Sequence, residues 1–62
     1  MTTFTLEQQR DCVKRELGYR KKVYPRLVTQ GKMAQAQADH EIGVMQSVLD
    51  ELYKMKAPGE IL

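Results

Sequence analysis

The stretch Tyr24-Pro25-Arg26-Leu27-Val28-Thr29-Gln30-Gly31-Lys32-Met33 constrains this chain more than any other, because two helical patterns meet there and the backbone must reverse. Pro25 has no backbone N–H to donate and crowds the carbonyl one turn back, so a helix reaching it either kinks or restarts. The residues alone leave both outcomes open. Leu27 and Val28 add one more apolar turn, and Gly31 is the residue best suited to the left-handed conformation that stops a helix. From Ala34 to Met55 the spacing is helical again. The pattern predicts an all-α chain folded as an antiparallel helical hairpin.

Helix 1 is expected over about residues 5–30, with the kink or break at Pro25. Thr5 is a good N-cap, and Gln8 three residues on completes a T-x-x-Q capping box. Glu7 suits the positive end of the helix dipole. Leu6, Val13, Leu17, Tyr24 and Leu27 recur at spacings of seven, four, seven and three, an a/d stripe. Gly18 interrupts this helix at a cost of about 1 kcal/mol relative to Ala unless something approaches closely there. Helix 2 is expected over about residues 34–56, ending before Ala57-Pro58-Gly59. Its stripe is Ala38, Ile42, Met45, Leu49 and Leu52, flanked by Val48 and Met55, and its start is poorly capped by Ala34.

Folding the stripes about Gly31 and Lys32 brings together residues whose numbers sum to roughly 61–64. Tyr24 then meets Ala38, Leu17 meets Met45, and Val13 meets Leu49. Arg20 comes near Glu41, which predicts a partly buried ion pair that fixes register more than it adds stability. Arg10 and Arg20 both fall at the stripe, where long stems can lie on the core edge and keep the guanidinium wet.

With 62 residues the chain makes one small domain. A single core below about 70–80 residues rarely contributes more than ~3–5 kcal/mol, and two helices leave each stripe half covered. Pairing with a second copy into a dimeric four-helix bundle is the expected solution. The longest apolar runs are two or three residues, which predicts no membrane span. Met1-Thr2-Thr3-Phe4-Thr5 lacks the basic and apolar regions of a secretory signal, so a cytoplasmic location is expected.

The residues point away from catalysis. Cys12 and His40 each stand alone, too few for a metal site, and Asp39-His40-Glu41 are consecutive positions that a helix splays about 100° apart. No phosphate loop, no paired nucleophile and base, and no cofactor motif is present, so neither an enzyme nor a small-molecule substrate is expected. Charge carries more information. Residues 1–32 hold eight Lys or Arg against three acids (+5), and residues 33–62 hold two against five (−3). Lys14, Arg15, Lys21, Lys22 and Arg26 spread over helix 1 away from its stripe, with Tyr19 at their border. That face suits either nucleic acid or plain solvation. Phe4, Val23, Val44 and Tyr53 fall at or outside the stripes and could mark a docking surface.

Glu7-Gln8-Gln9-Arg10-Asp11-Cys12-Val13, Val23-Tyr24-Pro25-Arg26, Gly31-Lys32-Met33 and Ala38-Asp39-His40-Glu41-Ile42 together resemble a family of small proteins encoded in bacteriophages and prophages of proteobacteria. The likeness covers about residues 4–52 and departs at Ala34, where Ser or Thr is expected. It implies a non-enzymatic phage or prophage accessory protein that binds and modulates a host protein in the host cytoplasm. A nucleic-acid-binding homodimer using the basic face of helix 1 is the alternative, and a structural oligomerisation module is a third.

Overall fold

The computed structural model describes residues 3–55. Its two regular elements are α1, Leu6–Thr29, and α2, Gln35–Lys54, packed against each other as an antiparallel pair. The stop expected at Ala57-Pro58-Gly59 lies outside the described residues.

α1 starts as its first residues dictate. Thr5 is extended (φ −72°, ψ 159°), and its hydroxyl accepts from the Gln8 backbone N–H at 3.0 Å. The Gln8 side chain accepts in return from the Thr5 N–H at 2.8 Å, so two of the helix's four orphan donors are satisfied. Glu7 stands in the first turn and Arg26 in the last, each at the dipole end that favours its charge.

Pro25 does not split this helix; α1 runs through it as one element. Proline removes the bond to the carbonyl of Lys21, but Pro25 and Lys21 are both exposed, on the side of the helix where water can take the place of that bond. One turn on, the Thr29 hydroxyl donates to the Pro25 carbonyl at 3.1 Å. The helix then ends in a Schellman motif. Gly31 takes φ +74°, its N–H donates to Val28 O at 3.0 Å, and the Lys32 N–H reaches back to Leu27 O at 2.8 Å. α2 begins with much less help. Ala34 is the N-cap, it has no side chain to offer, and the first turn carries no acid.

Leu17, Ala38 and Leu49 are the buried centre of the seam. Leu6, Val13, Tyr24 and Leu27 on α1, and Ile42, Met45 and Leu52 on α2, lie half-buried around them. Burying one large aliphatic side chain contributes about 1.5–3 kcal/mol, so a centre of two leucines and an alanine supports only a few kcal/mol.

The two helix-related glycines of α1 should respond in opposite directions. A Cβ added at Gly18 meets nothing within 4 Å. Gly18→Ala should therefore raise stability by about 1 kcal/mol through helix propensity alone. Gly31→Ala should lower it by about 1–2 kcal/mol, because a side chain disfavours the left-handed conformation that Gly31 holds. Urea melts followed by circular dichroism read both, and a loss of stability at Gly18 would mean that its Cβ position is needed for close packing.

Candidate interaction surface

Two arginines of α1 cross the seam and bind the backbone of α2. Arg20 donates from Nη1 to the Glu41 main-chain oxygen at 3.0 Å and from Nε to the Glu16 carboxylate at 3.2 Å. Its guanidinium also lies 5.8 Å from the centre of the Tyr24 ring. The ion pair expected between Arg20 and the Glu41 side chain is not formed; Arg20 meets Glu41 through its carbonyl. The reason lies in reach. Glu16 sits one turn earlier on the same helix, where i,i+4 side chains are neighbours, and a guanidinium with five donors can serve that carboxylate and a carbonyl across the seam together. The Glu41 side chain is partly exposed, and its carboxylate lies 4.0 Å from His40.

Arg10 does more than lay its stem on the core edge. Nε donates to Leu52 O at 3.0 Å, Nη2 donates to Met55 O, and the guanidinium lies 5.2 Å from the centre of the Tyr53 ring. The last carbonyls of a helix lack intrahelical partners, and a cation there also meets the negative end of the dipole. Arg10 thus closes the C-terminal end of α2. The sequence carried the signal: the fold-back register that set Arg20 beside Glu41 sets Arg10 beside Leu52.

Beside this clamp an apolar groove of about 490 Å³ runs along one side of the hairpin. Gln8, Gln9, Cys12 and Val13 line it from α1, Val48 and Leu52 from α2, and Phe4 stands at its head. Val44 and Val48 stand one turn apart on one face of α2, and Met55 follows just past its end. All three are exposed, as is Phe4 at 65%. Of the other residues expected outside the stripes, Tyr53 is exposed and Val23 is half-buried.

The opposite surface of α1 is charged. Lys14, Arg15, Lys21, Lys22 and Arg26 are all exposed, none of them joins an ion pair among the described residues, and Tyr19 is exposed at their border. On α2 the acids engage neighbours on their own helix. Gln35 donates to Asp39 at 2.9 Å, Gln46 donates to Asp50 at 3.0 Å, and Lys54 donates to Glu51 at 3.3 Å. Cys12 is a free, exposed thiol at the groove. No helix among the described residues is long and apolar enough to cross a membrane. Comparison with family models, with curated proteins and with solved structures finds no match to this chain.

Double-mutant cycles distinguish the two partners of Arg20. Arg20→Met with Glu41→Gln should show coupling near zero, since the carbonyl at Glu41 survives that change. Arg20→Met with Glu16→Gln should couple by about 0.3–0.5 kcal/mol, as for an exposed i,i+4 pair. Coupling of about 1 kcal/mol or more to the Glu41 side chain would return the carboxylate to the contact.

Proposed function

We propose that this chain is a non-enzymatic interaction protein that works by pressing one side of its helical hairpin against another polypeptide. The observation that carries this reading is the apolar groove lined by Phe4, Val13, Val48 and Leu52, with Val44 exposed one turn along α2 from Val48. Isolated exposed apolar side chains are ordinary on a soluble protein; a continuous face bordering a groove marks a contact surface. The motif likeness to phage- and prophage-encoded proteins adds an accessory role in the host cytoplasm, with a host protein as the class of partner.

A second reading draws on a different observation. The five exposed cations on the back of α1, with Tyr19 beside them, suit a polyanion such as nucleic acid. The two readings use separate surfaces, so substitutions separate them. Val48→Glu puts a charge into the groove and should abolish polypeptide contacts, measured as self-association by sedimentation and as capture by the immobilised chain. Reversing Lys14, Arg15, Lys21, Lys22 and Arg26 to Glu should leave those contacts in place. If the wild-type chain neither self-associates nor captures a protein through this face, the interaction reading fails. Nucleic-acid binding would appear at low salt, weaken by about 0.9 log units of affinity per tenfold rise in salt for each phosphate contacted, and vanish with the five reversals.

A further inference from the structure

Gly18 stands inside α1 at a cost of about 1 kcal/mol relative to Ala, and the hairpin makes no use of it. It is exposed, and a Cβ built there meets nothing within 4 Å, so neither α2 nor a neighbouring side chain needs the room. Its neighbours on the helix surface are the residues three and four positions away. All four are cations: Lys14 and Arg15 one turn before it, Lys21 and Lys22 one turn after. Each of the four is exposed, and none joins an ion pair among the described residues. Asp11, one turn ahead of Lys14 and Arg15, forms no ion pair with either. Gly43 on α2 is equally open, but the corresponding neighbours there are Asp39, His40, Gln46 and Ser47. Openness is common to both glycines; the ring of four cations belongs to Gly18.

Resting on the polyanion reading of the basic surface, we propose that Gly18 is the seat of one phosphate of duplex nucleic acid, held by Lys14, Arg15, Lys21 and Lys22. Four like charges around one point repel each other, and an anion set among them relieves that repulsion. The missing side chain lets the anion come close to the helix backbone, the role glycine has wherever main chain and ligand meet. Side chains on a helix lean toward its N-terminus, which sets Lys21 and Lys22 over the bare position while Lys14 and Arg15 bound its far edge. Arg26 continues the line. From Lys14 to Arg26 the cations span about 18 Å at 1.5 Å per residue, the length of about five successive phosphates of one strand at 3.4 Å each. A polypeptide is a poorer occupant, because the centre of a protein interface is depleted in charge, and this recess is bordered by charge on every side. A single strand stacks its bases on aromatic rings, and Tyr19 is the one ring at this border. A duplex is held through its phosphates and needs no such rings.

The test titrates the full chain into a fluorescently labelled DNA duplex of about 20 base pairs and follows anisotropy as salt is raised. Gly18→Gln keeps every charge and replaces glycine by a better helix former, so the variant should melt at or above the wild type. It should nonetheless weaken duplex binding about tenfold and lower the slope of log affinity against log salt by about 0.9, the share of one phosphate. Gly43→Gln should change neither quantity. A wild-type chain that leaves the duplex unbound at low salt overturns the seat and the polyanion reading together. Binding that vanishes on reversing the five cations but is indifferent to Gly18→Gln overturns the seat alone. Polyglutamate bound as tightly at the same salt, or a single strand bound more tightly than the duplex, overturns the duplex as the occupant.

Discussion

Two helices can offer each other only one face apiece, and everything in this molecule follows from how little that single seam can hold. A side chain is fully shielded only where it stands at the centre of the contact with both neighbours above and below it. Leu17, Ala38 and Leu49 meet that condition, and the remaining stripe residues, from Leu6 to Leu52, stay half-open along the flanks. The small side chain of Ala38 lets the helices approach closely near the turn. Farther from the turn, leucines take over the filling.

Because the seam is thin, polar contacts at its edge carry more of the architecture than in a larger domain. Arg10 and Arg20, ten residues apart on α1, both reach across to main-chain oxygens of α2. A carbonyl is a neutral acceptor, so these contacts avoid desolvating a second charge, the penalty that makes buried ion pairs weak stabilisers. They also hold register. Sliding one helix past the other by a turn would separate both guanidinium groups from their acceptors at once. The neighbouring rings of Tyr53 and Tyr24 shelter the two guanidinium groups and add an attraction of their own.

The surface divides into three parts with different uses. The back of α1 is basic, the outer surface of α2 satisfies its acids locally, and an apolar groove opens on one side of the pair between Phe4, Val13, Val48 and Leu52. On that third surface Val44 and Val48 stay exposed among the described residues. The contrast in charge between α1 and α2 favours the pairing of the two helices inside the hairpin.

Periodicity and end signals were enough to determine the helices. The Thr5–Gln8 box, the a/d spacing, Gly31 at the turn and the weak start at Ala34 are local properties of the chain, decided within three or four residues, and each was legible in the order of amino acids. Three features were not. Whether Pro25 splits or is absorbed depends on which side of α1 faces water, and that is set by the packing of α2. Whether Arg20 takes the Glu41 carboxylate or its carbonyl depends on the competing carboxylate of Glu16 and on the depth to which the seam lets a guanidinium enter. Arg10 becomes the cap of α2 only because the hairpin brings residues more than forty positions apart to one end. Local rules reach a turn or two along the chain; contacts across the seam need the helices already docked, and only the tertiary structure supplies that.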